Sequence, residues 1–580
     1  MPLESNTTLT TTQRFFRLLK RDRKEISYIY LYAVIAGIIN LTLPLGVQAI
    51  LNFIQGGSIS SSWWLLIVIV TLGTVLAGIV TIMQMTVSET LQRRIFTRVS
   101  FDFAERLPLI KTEVIRKEYV PELVNRFFDT LTIQKGLPKI LIDLSTAVMQ
   151  ILFGILLLSF YHPFFIFFGV VLIIILIVLF SLTSPLGLKT SLTESKYKYQ
   201  VAHWLEEIGR TIHTFKLAGR SPLPLSKTDY FVSHYLDAKE KHFNILKIQY
   251  SSIVIFKSLI TFVLLTLGSY LVINNQINLG QFVAAELIVL LIINSSEKLI
   301  YTMDTVYDVM TAIEKIGAVA DIPIEHEHGV DFKEVNTQKG ISVNIENLTH
   351  RFSDSTTPTL SNIHLNIKSG EKVCIAGYNG SGKTTLVQII ACLLTDYEGS
   401  ILYNGIPRKN FNQRSLRHYI GDFSSQEDVF KGTLKENISL GYENVSFQDI
   451  VNTADAVGLS PFVRELPQGF DTPLLPEGKN LPRSIMMKII LARSIVSKPQ
   501  LLAIEELMAN LEFKDRERIA ALLTRPDQAW TLIAVTDDPL LAARCDRVYI
   551  MDKGTIIAEG TFEDIKKTSH FPRVFKISRS

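Results

Sequence analysis

From Ile26 to Ser88 the chain contains no Asp, Glu, Lys or Arg. A lipid bilayer presents a hydrocarbon core that takes roughly 20 apolar residues per helix, so this stretch is long enough for two crossings. Its break falls at Gln55-Gly56-Gly57-Ser58, with Trp63 and Trp64 just beyond as interfacial aromatics. A second uncharged stretch, Leu144 to Leu188, is broken at Tyr161-His162-Pro163. A third, Ser258 to Ala285, turns at Asn274-Asn275-Gln276, and its helices are expected to begin near Tyr250 and to end past Tyr301. Three hairpins make six spans. The mean hydropathy of +0.26 and the 47% hydrophobic content agree with a chain that is in large part a membrane protein.

Basic residues give the orientation. The hairpin tips carry no Lys or Arg. The connecting segments carry Arg93, Arg94, Arg98, Lys111, Lys117, Arg126 and Lys135 in one case, and Lys189, Lys196 and Lys198 in the other. Positive charge is retained in the cytoplasm, so the tips are expected outside and both termini inside. The expected location is a bacterial inner membrane. The two connecting segments, about 91–139 and 189–246, are polar and helix-compatible, which suits helices extended out of the bilayer. The first apolar run is too long for a cleavable signal core and a second follows at once. Before it, Arg14-Phe15-Phe16-Arg17-Leu18-Leu19-Lys20 places Phe15, Leu18 and Leu19 on one helical face between cations. That pattern suits a helix lying in the membrane interface; a solvated basic tail is the other reading.

Within the spans Lys257 and Glu286 stand out, because an intramembrane charge is a functional candidate. Counted from the turn near Asn275 they differ in depth by roughly 10 Å, so a direct pair between them is not expected. Lys257 is expected to snorkel to the inner interface. Glu286 either lines a substrate path or rests as a neutral or solvated carboxyl at a helix contact.

The 580 residues allow more than one folded unit. The net charge of +4 is too small to point to nucleic acid. The three cysteines, Cys374, Cys392 and Cys545, have no metal or redox spacing and read as reduced core thiols. All three lie beyond a charged stretch at 321–340, where β-type runs begin. One of these, Lys372–Ala376, leads into Gly377-Tyr378-Asn379-Gly380-Ser381-Gly382-Lys383-Thr384. This fits the P-loop pattern G-x-x-x-x-G-K-S/T between a strand and a helix. Glycines let backbone N–H groups curl around phosphate, and the helix N-terminus that follows adds its dipole. Lys383 supplies a point charge to the terminal phosphates and Thr384 a hydroxyl ligand for Mg²⁺. Thr385 continues the helix. A second apolar run, Leu501–Ile504, ends in Glu505-Glu506, carboxylates suited to metal coordination and to orienting an attacking water.

In this order the parts resemble the ABC exporter family over essentially the whole chain. The resemblance implies an all-α six-helix transmembrane domain joined to an α/β P-loop ATPase domain. The expected bounds are a tail with an interfacial helix at 1–24, the membrane domain at 25–320, a linker at 321–340 and the ATP-binding domain at 341–580. Phe352 matches the aromatic that stacks on adenine, and Gln426 the glutamine that senses Mg²⁺ and the membrane domain. The runs Phe430–Ile438 and Leu466–Thr472 are very similar to the family's. Glu505 stands at the metal-binding aspartate position and Glu506 at the catalytic glutamate.

Several positions depart from the family pattern. Its LSGGQ signature is here Leu481-Pro482-Arg483-Ser484-Ile485. Proline has no N–H to give a phosphate, and Arg483 adds bulk where glycine allows close approach. Glu512 replaces the D-loop aspartate. Asp537 replaces the switch histidine; an ionised aspartate only accepts hydrogen bonds and repels phosphate. Family sites are shared between two chains; a homodimer lacks a normal signature and switch histidine at both, and pairing with an intact half-transporter repairs neither site completely. The resemblance therefore implies an ATP-binding, Mg²⁺-dependent half-transporter that exports a substrate as a dimer with slow or absent turnover. Two other readings stay open: ordinary turnover, and a regulatory or structural membrane subunit that binds ATP without transport. Within the family the chain looks most similar to type I secretion and peptide exporters, which admits a periplasmic adaptor as partner. No cysteine-peptidase domain precedes the spans, so leader-peptide cleavage is not expected.

Overall fold

The computed structural model describes residues 9–57, 61–116, 119–325, 328–335, 340–424 and 428–575. The chain divides into two compact units: Met1–Pro108 with Glu118–Ile322, and Leu109–Lys117 with Pro323–Ser580.

Among the described residues the first unit has six helices long and apolar enough to cross a membrane: Arg23–Gln55, Ser61–Leu109, Val120–Ser159, Phe164–Arg210, Leu223–Ile273 and Leu279–Ala320. The chain is thus a multi-pass membrane protein. At about 1.5 Å per residue the fourth helix, with 47 residues, is more than twice as long as a hydrocarbon core of about 30 Å is thick. The polar connecting segments supply that excess. The first span is broken at Leu41 into Arg23–Asn40 and Thr42–Gln55. Pro44 has no N–H for the helix ladder there, and the Thr42 hydroxyl donates back to Ile39 O at 2.7 Å.

Small residues set the close crossings, as expected where lipid provides no hydrophobic drive between helices. A Cβ on Gly37 would meet Phe153 at 2.8 Å, and one on Gly154 would meet Ile292 at 2.8 Å. Gly187 lies against the buried Tyr307, whose ring a Cβ would reach at 2.4 Å. The same tyrosine hydroxyl accepts from Gln249 Nε2 at 2.8 Å, and that amide also donates to Thr183 at 2.7 Å. Gly187→Leu is therefore expected to displace Tyr307 and to destabilise the purified protein by about 1–3 kcal/mol, read as a lower thermal midpoint in detergent. Gly78→Leu, where a Cβ meets nothing within 4 Å, is the neutral control.

The structure adds detail to three expectations. The Lys257 ammonium pairs with Glu297 at 2.9 Å. The neighbouring Lys298 pairs with Asp143 at 2.9 Å, so the middle of the sixth helix carries two ion pairs. Glu286 is half-buried and makes no ion pair among the described residues. Finally, the amphipathic N-terminal helix forms, over Thr11–Arg21, with a capping box at Thr10. Part of its apolar stripe is covered by protein: Phe15, Leu18 and Leu19 pack on a cluster that includes Ile29, Leu91 and Ile313. Arg14 pairs with Asp321 and reaches Glu314 at 3.8 Å.

Among the described residues the second unit has twelve strands: β1 (Val343–His350), β2 (Leu360–Ile367), β3 (Lys372–Gly377), β4 (Glu398–Tyr403), β5 (Ile406–Pro407), β6 (Ile420–Phe423), β7 (Gly432–Thr433), β8 (Pro473–Leu474), β9 (Leu501–Glu505), β10 (Thr531–Val535), β11 (Arg547–Asp552) and β12 (Thr555–Gly560). One sheet has the order β2-β1-β4-β5, and a larger one β12-β11-β3-β10-β9-β6. In the larger sheet β11, β3, β10, β9 and β6 run parallel, with β12 antiparallel at the edge. Residues of β9 and β10 are buried throughout, as a parallel sheet covered on both faces requires.

The expected linker at 321–340 is in part packed structure of this unit. Phe332 is fully buried, its ring 5.3 Å from that of Phe411 and 5.2 Å from that of Tyr419. The segment 109–116 also belongs here. Ile110 bridges Ile324, Glu325 N donates to Leu109 O at 2.8 Å, and the short helix Thr112–Ile115 follows. A drop in hydropathy and added charge mark a linker in sequence, but they do not reveal one aromatic that finds a pocket.

Candidate nucleotide site

Parallel strands put their carboxyl ends on one edge, and β9, β10 and β3 are adjacent in that order. Val535 lies opposite Ile375 on one side and Glu505 on the other. The P-loop after β3, the Glu505-Glu506 pair ending β9 and Asp537 beyond β10 therefore converge. In sequence they are spread over more than a hundred residues.

Gly380 and Gly382 in the loop have φ of +75° and +94°, the left-handed region that glycine enters without steric cost. Nothing lies within 4 Å of a Cβ built on Gly380. Asn379 is exposed and Ser381 buried. Gly382 then caps the helix Lys383–Ile390, on which Thr385 is buried. The Lys383 ammonium folds back to donate to Gly377 O at 3.0 Å and Tyr378 O at 2.8 Å. Burial pulls it below the usual lysine range, while Glu506, Asp537 and Glu505 act in the opposite direction. The charges of three carboxylates thus act on one cation.

The Thr384 hydroxyl donates to the Glu505 carboxylate. Burial pushes the Glu505 carboxyl up, opposed by that hydrogen bond; the charge of Glu506 adds to the rise and Lys383 opposes it. Glu506 is exposed and has φ +51°, a strained conformation for a non-glycine residue. Its N–H donates to Val535 O at 3.0 Å, which holds the turn. Asp537 is exposed, whereas Asp538 is buried, caps the next helix through Leu540 N at 2.7 Å and pairs with Arg516 at 3.1 Å.

Elsewhere in the unit, Leu481 packs on the core cluster and Pro482 precedes the helix Arg483–Val496, whose N-terminus has no side-chain cap. Arg483 comes within 4.0 Å of Asp428. Glu512 is exposed and precedes the helix Phe513–Thr524 without capping it. Gln426 lies outside the described residues. All three cysteines are buried and free, and burial pushes the Cys545 thiol up to about 12, as inert core thiols require.

Two residues near the site escape sequence reasoning. The Glu113 carboxylate accepts from the Thr395 hydroxyl at 3.0 Å and from Asp396 N at 3.1 Å. The Arg116 guanidinium lies over the Phe352 ring, 3.6 Å from its centroid. Both are separated from their partners by more than two hundred residues, and neither carries a motif.

A phosphate-binding loop at the carboxyl edge of a parallel sheet, fused to six membrane helices, defines a membrane-embedded nucleotide-binding protein. Residues 26–296 match the family described as ABC transporter transmembrane region, and residues 360–509 the ABC transporter family. The chain belongs to the ABC transporters and carries both the transmembrane region and the ATPase domain of that family. It is 24% identical over 376 residues to the alpha-hemolysin translocation ATP-binding protein HlyB of Escherichia coli O157:H7, covering 64% of this chain and 53% of that protein. It therefore spans about half the length of that relative. It is 22% identical over 569 residues to the lactococcin-A transport/processing ATP-binding protein LcnC of Lactococcus lactis, covering 96% of this chain and 77% of that one. The structure of a bacterial Atm1-family ABC exporter with ATP bound superposes with a TM-score of 0.79 at 17% identity, covering 94% of this chain and 96% of that one. That likeness is one of fold. The ABC ATPase domain makes the P-loop a nucleotide site.

Proposed function

We propose that this chain is one half of an ATP-driven exporter that works as a dimer and hydrolyses ATP slowly. The observation that carries the reading is the set of three carboxylates around Lys383, with Asp537 where the family places a histidine. The P-loop amides and Lys383 bind and orient the phosphates, and Phe352 offers a ring to the base. Thr384 and Glu505, already held together, are hard oxygen donors. They suit Mg²⁺, which takes one or two protein oxygens and completes its shell with water and phosphate; Gln426 joins them by resemblance. Bound there, Mg²⁺ would supply positive charge against the phosphate oxygens. Glu506 orients the attacking water and accepts its proton. Asp537 gives the terminal phosphate no donor, and Leu481–Ile485 gives the facing site of a partner chain one N–H fewer, which is why turnover is slow.

The partner is a second copy or another ABC half-transporter. The location is the bacterial inner membrane, with both termini cytoplasmic. The few charges in the spans, two pairs of which neutralise each other, favour an amphipathic or peptide-like cargo. Relatives named for haemolysin translocation and lactococcin-A transport support the same class, and with it a periplasmic adaptor. A second reading is an ATP-binding regulatory subunit without transport, in which nucleotide acts only through its differential affinity for two states.

The test is ATP hydrolysis by the chain in lipid vesicles beside nucleotide binding. Binding with turnover well under about 1 per second, the low end of typical enzymes, and reduced further by Glu506→Gln supports the slow motor. Binding with no turnover above the Glu506→Gln background favours the regulatory subunit. Turnover of several per second, lost in Glu506→Gln, sinks the slow-motor reading.

A further inference from the structure

The sequence and the resemblance assign no role to Arg116. It lies between the second and third spans in sequence, yet belongs to the nucleotide-binding unit. The segment that carries it is fixed there just before and within its short helix, Thr112–Ile115. Before the helix are the Ile110–Ile324 bridge and the hydrogen bond from Lys111 N to Pro323 O at 3.2 Å. In its first turn is Glu113, which accepts from Thr395 and Asp396. Burial works against the Glu113 carboxylate, but those donors outweigh it and hold the group below the usual carboxylate range. Glu113 therefore stays ionised and keeps its grip at neutral pH. With the segment pinned, Arg116 is set over Phe352 rather than meeting it by chance.

Phe352 has few faces to offer. It packs on the core cluster that contains Leu360, Val373 and Tyr403. The His350 ring meets it at 88° with centroids 4.6 Å apart. Arg116 itself is exposed and covers the ring at stacking distance. A purine that stacks on this ring needs a face with no protein behind it.

We propose that Arg116 occupies the base-binding face of Phe352, so that a nucleotide base binds by displacing the guanidinium. This rests on the reading of Phe352 as the base-stacking residue of an ATP site. A guanidinium over an aromatic face competes with a base for one π surface. The competition discriminates between ligands with and without a base, and it leaves the P-loop's hold on phosphate untouched. Arg116 is thus a residue that sets how much the base contributes to affinity.

The experiment compares ATP with inorganic tripolyphosphate, which has the phosphates and no base. Both are titrated calorimetrically against the full-length protein in lipid nanodiscs, as wild type, Arg116→Ala, Arg116→Lys, Phe352→Ala and the double variant. The quantity read is the ratio of ATP affinity to tripolyphosphate affinity. Loss of an exposed cation–π contact in the free protein is expected to raise that ratio about 2- to 5-fold in Arg116→Ala, whatever its charge does to both ligands. Arg116→Lys is expected to fall between. Phe352→Ala is expected to lower the ratio, and adding Arg116→Ala to it should change nothing further. A ratio that is unchanged or falls in Arg116→Ala overturns the proposal; a fall means that Arg116 backs the ring from behind. Failure of the underlying reading looks different. There, wild type binds ATP no better than tripolyphosphate, and Phe352→Ala leaves the ratio where it was. Because Arg116 is exposed, its variants are expected to keep the wild-type thermal midpoint without ligand.

Discussion

Asp537→His is expected to raise ATP turnover about tenfold, measured as phosphate release from protein in lipid vesicles. The argument is electrostatic. In the free protein Lys383 already faces Glu506, Asp537 and Glu505. A triphosphate adds further negative charge to that space. In the proposed function Glu505 and Glu506 have work to do there, the one as a metal ligand and the other as the group that orients water. Asp537 has none that a carboxylate performs well, because it can only accept hydrogen bonds. Histidine in its place removes a repelling charge and adds an N–H aimed at the oxygens that gain charge in the transition state. A well-placed donor of that kind is worth roughly 10²–10³ in rate. The smaller gain expected here reflects Leu481–Ile485, which still lacks the N–H of a residue at Pro482. Asp537→Ala separates the two effects, since it removes the repulsion and adds no donor; it should recover only a minor part of the gain. If Asp537→His leaves turnover unchanged while Glu506→Gln still abolishes it, Asp537 is not what slows the motor.

Lys383→Ala is expected to weaken ATP binding roughly 10- to 100-fold, the range set by hydrogen bonds to charged groups of about 1.5–3 kcal/mol. Its ammonium now rests on two backbone carbonyls of its own loop, a position from which it turns to phosphate at small structural cost. The fold itself should tolerate the change, because the loop's glycines and the helix behind it do not depend on the ammonium. The readout is thermal. ATP at about 100 times the dissociation constant stabilises a binding-competent protein by about 2.7 kcal/mol, and at the same ATP concentration that gain should fall to about 0.4–1.4 kcal/mol in the variant. A variant that keeps the full ATP-induced rise would place the nucleotide somewhere other than the P-loop.

The spans were legible because lipid leaves so little freedom. Without water to satisfy backbone polar groups, a long uncharged run has to be helix, and the six runs correspond to the six helices. The P-loop was legible because its glycines and its lysine answer to local geometry. The partners of Lys257 and of Arg116 were not. Glu297 is 40 residues from Lys257, and charge patterning along one helix does not say which neighbour it will face. Phe352 and Arg116 are each unremarkable in their own segments.

The sequence by itself thus determined where the chain crosses the membrane, which loop holds phosphate and which family positions had changed. Those properties are written in periods, spacings and residue types within a few turns of chain. Only the tertiary structure decided that β3, β9 and β10 lie side by side, so that Glu505, Glu506 and Asp537 all bear on Lys383. It alone decided that a fragment between two membrane helices is built into the nucleotide-binding unit and lays a guanidinium on its aromatic ring. The physical reason is that strand order and packing partners follow from burying surface against distant surface. That is a property of the whole chain and of no single segment.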